Sequence, residues 1–242
     1  MIIYGTSNIG MVRQENQDSY MFDSFSNTVG YAVVCDGMGG ASGGKMASSI
    51  AVNAFASNIL RIGDNCDEDK LKSTLDLAIE SANGDIYFKG LQDENLKGMG
   101  TTLVSVVVIN DVAYFANVGD SRAYIIRDDV IHRISHDHSA VQELIDQGML
   151  TESQARTHPN KNIITRAIGV NEKIEYDFYK ENLLPDDIIV LCTDGMTNYV
   201  DDLEIPFEIV KQTNLENVPQ RLIELANSRG GSDNSTVVII KI

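Results

Sequence analysis

A chain of 242 residues, 43% of them hydrophobic, can bury a sizeable core as one domain, and no Pro-, Ser- or Gly-rich linker divides it. A formal net charge of −16 argues against a nucleic-acid partner, because affinity for a phosphate backbone rests on Lys and Arg. No apolar run reaches the roughly 18 residues that cross a bilayer, the N-terminus lacks a basic region before an apolar one, and the three cysteines are odd in number; these features predict a cytoplasmic protein with reduced thiols and no membrane partner.

Residues 2–7 read as a strand, followed by a polar loop over residues 10–19 that carries Arg13 and Asp18. Residues 31–35 form a continuous apolar run that stops at Asp36 and opens into Gly37-Met38-Gly39-Gly40. Apolar side chains then recur at Met46, Ile50, Ala54, Phe55 and Ile59, which predicts a helix over 45–60 with one buried face. The unit is strand, turn, helix. A second helix is predicted over 67–88, through Leu71, Leu75, Ala78, Ile79, Ala82 and Ile86, with a break at Gly90.

From residue 103 the texture becomes that of strands: 103–109, 112–118, 122–127 and 130–134, joined by Asn-Asp, Gly-Asp-Ser and Asp-Asp turns. They read as one antiparallel meander with Asp120 at a strand end. Residues 135–169 hold only short helical pieces, at 140–147 and 152–156, and form a candidate flap. His132, His136 and His138 lie near its start. His-Asp-His suits a transition metal, but the spacing is better read as a solvated loop with a helix starting at Ser139. Strands at 174–179 and 188–192, helices at 207–211 and 218–227, and a last strand at 236–240 complete the chain. The order favours an α+β fold of stacked antiparallel sheets covered by helices over a βαβ repeat.

Asp36, Asp120, Asp194 and Asp233 each stand where a strand begins or ends. Brought together, these carboxylates would raise one another's pKa, and hard divalent cations are the usual remedy. All-oxygen ligation favours Mg²⁺ or Mn²⁺ over Zn²⁺. Two such ions about 4 Å apart ionise a water and hold an in-line displacement at phosphorus. Arg13 is the natural fork for phosphoryl oxygens. None of Cys35, Cys66 and Cys192 is followed closely by an Arg, which sets aside a cysteine phosphatase. The glycines at 37, 39 and 40 lack the G-x-G-x-x-G spacing of a nucleotide loop.

Arg13-x-x-Asn16-Gln17-Asp18, Asp36-Gly37-Met38-Gly39-Gly40, Gly100-Thr101-Thr102, Gly119-Asp120-Ser121-Arg122, Asp194-Gly195 and Asp233-Asn234 occur in the order of the bacterial PP2C-type (PPM) metal-dependent phosphatases, which this chain resembles over nearly its whole length. The resemblance implies a protein serine/threonine phosphatase, a four-layer αββα sandwich of two antiparallel sheets flanked by helices, spanning residues 1–242 with the flap at about 135–169. It implies two Mn²⁺ or Mg²⁺ ions, with Asp36 bridging both, the Gly37 carbonyl on one, and Asp194 and Asp233 on the other. Asp18 then supports a metal-bound water, Arg13 binds phosphate, and Asp120 matches the ligand of a third, weaker ion. Phosphorylated proteins and a cognate Ser/Thr kinase are the implied partners. The alternatives are a catalytically silent phosphoprotein-binding regulator on the same fold and a phosphatase of small phosphate esters. Two positions depart from the pattern: Met38, where animal relatives carry a His proposed as general acid, and Ala41, where bacterial members often have His.

Overall fold

Val29–Cys35 is buried at every position, because its two faces enter different cores. Tyr31, Val33 and Cys35 face one core while Ala32 and Val34 face another, the period of two that a pleated strand imposes. The computed structural model describes residues 1–62 and 66–242, and of Ala41 and Ser42 the backbone alone, so the departure at the Ala41 side chain lies outside the described residues.

The elements in chain order are β1 (Ile2–Asn8), β2 (Ser19–Ser24), β3 (Val29–Cys35), β4 (Gly37–Met38), α1 (Gly40–Ile59), α2 (Glu68–Gln92), β5 (Gly100–Thr101), β6 (Leu103–Ile109) and β7 (Val112–Val118). Then come β8 (Arg122–Arg127), β9 (Val130–Arg133), α3 (Ala140–Asp146), α4 (Glu152–Ala155), β10 (Asp177–Asn182), β11 (Ile188–Cys192), α5 (Asp194–Thr197), α6 (Glu204–Lys211), α7 (Val218–Ser228) and β12 (Ser235–Lys241). Among the described residues the strands make two five-stranded antiparallel sheets, β1-β12-β11-β8-β9 and β10-β7-β6-β3-β2, and the ribbon β4-β5.

The sheets meet through Ala32, Val34, Val106 and Phe115 on one side and Ala123, Ile125, Leu191 and Val238 on the other. Behind the first sheet α1 and α2 bury Phe55, Leu71, Leu75 and Ile86 against Tyr31 and Leu103. Behind the second, Ile205, Leu222 and Ile223 of α6 and α7 pack on Tyr124, Val190 and Ile239. The result is the four-layer αββα sandwich, an α+β fold. No helix among the described residues is long and apolar enough to cross a membrane.

Four local expectations are corrected. The meander is divided: β6 and β7 belong to one sheet and β8 and β9 to the other, because Gly119, at φ +102°, turns the chain across the sandwich. A strand not foreseen, β2, pairs with β3 along its whole length at the sheet edge. Helix α1 begins at Gly40 rather than residue 45, and α2 continues through Gly90 to Gln92. The strand expected at 174–179 lies at Asp177–Asn182; Ile174 and Tyr176 pack against the helix-side core without entering the ladder.

Candidate active site

One end of the sandwich collects the acidic positions. Asp36 follows β3, Asp18 precedes β2, Asp120 sits in the turn between β7 and β8, Asp194 opens α5 after β11, and Asp233 precedes β12. A cleft of about 850 Å³ is lined there by Arg13, Asp36, Gly37, Asp120, Asp194 and Asp233, with Met38 and Asn162 on its walls. Asp18 lies below, 8% exposed.

The backbone around Asp36 is fixed from both sides. Its N–H donates to Thr102 Oγ1 at 2.9 Å, and its carbonyl accepts from Thr102 N at 2.9 Å and Thr101 Oγ1 at 2.8 Å. Ser121 Oγ completes the set, 2.8 Å from Thr102 Oγ1. Gly37 pairs with Thr101 in the β4-β5 ribbon, and a Cβ there would overlap the Gly44 carbonyl and stand 2.6 Å from that of Gln17. The turns bearing Asp194 and Asp233 lie back to back, since a Cβ on Gly195 would overlap the Asn234 carbonyl. Asn234 stitches this corner to the N-terminal loop: its Nδ2 donates to Ile9 O at 2.9 Å and Glu15 O at 3.0 Å, and its Oδ1 accepts from Gln17 N at 2.8 Å.

The side chains carry the chemistry. Asp233 Oδ2 accepts from Arg13 Nη2 at 2.7 Å and its Oδ1 from Asn234 N at 2.8 Å. Asp194 Oδ2 accepts from Asn198 Nδ2 at 2.9 Å. Asp18 Oδ2 accepts from two buried hydroxyls, Thr236 Oγ1 at 2.6 Å and Thr193 Oγ1 at 3.0 Å. The second oxygens, Asp18 Oδ1 and Asp194 Oδ1, are buried without a hydrogen-bond partner. An orphaned carboxylate oxygen is costly unless something cationic meets it.

Burial, followed by the charges of Asp18 and Asp194, pushes Asp36 well above the usual carboxylate range. Burial does the same to Asp120 and raises Asp194, and it takes Asp18 up to about 7. Desolvation and mutual repulsion thus act on one cluster, and among the described residues Arg13 is the only Lys or Arg lining the cleft. Hard divalent cations fit this donor set, which is all oxygen and rich in charge. Among the described residues no three Asp, Glu, His or Cys side chains converge tightly enough to hold an ion by themselves, so backbone and water oxygens would have to complete its shell.

All the expected positions therefore reach this end of the fold: Arg13 at the mouth, Asp36, Gly37, Asp120, Asp194 and Asp233 around the cleft, Asp18 beneath. The supporting residues Thr102, Thr193, Thr236, Asn198 and Asn234 had no assigned role from sequence. Their one signal is adjacency, since Thr193 and Asn234 flank Asp194 and Asp233 in the chain. The solvated loop expected at His136-Asp137-His138 is corrected in part: His136 is exposed, but the two residues after it are not. Asp137 is 7% exposed and ion-paired with Arg122 (2.8 Å) and Arg133, and His138 is 7% exposed. Ser139 does cap α3, accepting from Gln142 N at 3.2 Å.

The chain matches the family model described as Protein phosphatase 2C over residues 5–225. It is 33% identical over 232 residues to the serine/threonine phosphatase stp of Listeria innocua, covering 96% of this chain and 92% of that protein. The fold superposes on the S. agalactiae serine/threonine phosphatase with a TM-score of 0.92 at 36% identity, covering 100% of this chain and 99% of the other. It also superposes on the catalytic domain of the serine threonine protein phosphatase PstP, solved in complex with 2 manganese ions, with a TM-score of 0.85 at 30% identity, covering 98% and 96%.

Proposed function

This chain belongs to the protein phosphatase 2C family and is a protein serine/threonine phosphatase, and we propose that it hydrolyses phosphoserine and phosphothreonine with two divalent cations, Mn²⁺ or Mg²⁺, bound at the cleft floor. The observation that carries this reading is the pair of buried, unpartnered carboxylate oxygens, on Asp18 and Asp194, beside Asp36. Asp36 would be shared by both ions, with the Gly37 carbonyl on one and Asp194 and Asp233 on the other. Asp120 would serve a third. When bound, such cations make water nucleophilic at neutral pH and offset phosphoryl charge.

The chain's own groups do the rest. Thr101 and Thr102 hold the Asp36 backbone, so its carboxylate enters the cleft at a set angle. Asp18 Oδ1, the oxygen its two threonines leave free, is the acceptor for a water under the floor. Arg13 swings from Asp233 to two phosphoryl oxygens and orients the phosphorus for in-line attack. A water oxygen bonds to phosphorus, the bond to the Ser or Thr oxygen breaks, and that oxygen takes a proton. Met38, on the cleft wall, has no proton to give, so water in the cleft supplies it.

The flap, residues 135–169, contributes Asn162 and Ile164 to the cleft and selects protein substrates. It sits on the corner after α5 through Lys161 Nζ to Asn198 Oδ1 (3.2 Å) and Arg156 to Asp201 (2.7 Å). A Ser/Thr kinase would supply the substrates, and the buried free thiols of Cys35 and Cys192 suit a cytoplasmic setting. The test is hydrolysis of a phosphothreonine peptide with Mn²⁺, with Mg²⁺ and with excess EDTA, beside Asp36→Asn. Turnover that needs both metal and Asp36 is expected; metal-independent turnover, or full activity in the variant, overturns the reading.

A further inference from the structure

His138 is buried on a loop, and among the described residues it stands in no group of metal-ligating side chains. Its polar atoms are engaged on the turn that carries Asp120 and on the segments that close the flap. Its backbone N–H donates to Gly119 O at 2.9 Å, and its carbonyl accepts from Thr165 N at 2.8 Å. On the ring, Nδ1 accepts from Gly119 N–H at 3.0 Å. That assigns the tautomer: the proton is on Nε2, which faces Asp177 Oδ2 at 3.2 Å. Arg166 Nη1, 3.0 Å from the same nitrogen, finds no lone pair there and donates to Asp177 Oδ1 at 3.0 Å. Tyr179 OH donates to Asp177 Oδ2 at 2.9 Å and steadies the carboxylate. Burial pushes the imidazolium pKa down, which agrees with a neutral ring.

Gly119 is thus gripped at its N–H and its carbonyl by one residue. It has φ +102°, and a Cβ on it would stand 2.5 Å from Thr102 Cγ2. Thr102 in turn accepts the Asp36 N–H. One imidazole therefore lies behind two carboxylates of the cleft: Asp120, the next residue along, and Asp36, through Thr102.

We propose that His138 is a positioning residue of this phosphatase, holding the Gly119 turn so that Asp120 is presented to the cleft and tying that presentation to the base of the flap at Thr165. The inference rests on the assignment of Asp120 to the cation-binding set.

The test compares wild type with His138→Asn, His138→Gln and His138→Leu. Asn carries an acceptor at the branch position of Nδ1 and keeps the Gly119 bond. Gln reaches toward Asp177 and offers Gly119 nothing; Leu keeps bulk alone. The readouts are the Mn²⁺ concentration for half-maximal turnover of a phosphothreonine peptide, kcat and KM, and hydrogen exchange over residues 119–121. His138→Asn should stay within about threefold of wild type, while Gln and Leu should raise the Mn²⁺ requirement roughly tenfold, the worth of one buried hydrogen bond, speed exchange at 119–121 and leave KM nearly unchanged. Equal behaviour of Asn and Gln, or wild-type values for Gln, overturns the proposal. Should His138→Leu fail to fold, the contrast of Asn with Gln decides. Absence of wild-type turnover would fail the phosphatase reading instead, and exchange at Gly119 would still judge His138.

Discussion

Arg13 Nη2 donates to Asp233 Oδ2 at 2.7 Å, so the guanidinium at the cleft mouth rests on a carboxylate that it would have to leave in the proposed grip on a phosphoryl group. The Arg13 side chain is 54% exposed, and an ion pair this open adds little to stability. Release is therefore cheap, and the side chain is free to act on substrate. Arg13→Ala should raise KM for a phosphothreonine peptide roughly ten- to hundredfold, the worth of a charged hydrogen-bonded contact, with Tm almost unchanged. Steady-state kinetics check this, and an unaltered KM would remove Arg13 from phosphate binding.

The buried carboxylates predict a pH dependence for the metal-free protein. Burial takes Asp18 up to about 7, whereas an unfolded Asp titrates near roughly 4. A carboxyl group whose folded pKa is raised favours folding only while protonated, so its contribution is full below about 4 and is lost as pH rises to about 7. In EDTA, Asp18→Asn should melt higher than wild type at pH 8 and alike near pH 4. Mn²⁺ should raise the wild-type Tm at pH 8. Matching melts at both pH values would show that the Asp18 charge carries no cost.

Two glycines give a contrast in stability. Gly195→Ala drives a Cβ into the Asn234 carbonyl, which is backbone and cannot step aside, so urea unfolding should show a loss of about 1–3 kcal/mol or more along with lost turnover. Gly84→Ala, on α2 with nothing within 4 Å of the new Cβ, should instead stabilise by about 0.5–1 kcal/mol. The same sign for both would contradict the back-to-back packing of the Asp194 and Asp233 turns.

On the proposed role of the flap, its contacts should separate protein from small-molecule substrates. Lys161→Met with Arg156→Met removes both ties to the corner after α5. KM for a phosphoprotein should rise several-fold, while p-nitrophenyl phosphate, which has no polypeptide to lie along the flap outside the cleft, should be turned over as before. An equal effect on both substrates would place the flap's role in chemistry rather than in substrate choice.

Much of this site was legible because backbone and chemistry agree at the same residues. Asp36 and Asp194 each end a run of buried strand residues and precede a glycine that close backbone contact demands, a coincidence visible without a structure. Asp233 was legible as the last acidic group before an apolar strand. The rest depended on tertiary partners. In β2, Tyr20 and Phe22 pack toward the inter-sheet core and Met21 toward the helices, but this apolar stretch is only three residues long between the polar Ser19 and Asp23-Ser24, too short a pattern to mark a strand. Helix α1 covers Gly43 and Gly44 against their poor propensity because Gly44 lies on the Gly37 carbonyl, where a Cβ would come within 2.6 Å. His138 read as solvated because its partners, Gly119, Arg166 and Asp177, lie 19, 28 and 39 residues away in the chain.

On the proposed function, the carboxylates around Asp36 hold two divalent cations. The most direct measurement is anomalous scattering at the manganese edge from crystals of the Mn²⁺-loaded protein. Two strong peaks beside the Asp36 carboxylate, one also on Asp194 and Asp233, are predicted. Peaks elsewhere, or none at this cleft at saturating Mn²⁺, would contradict it.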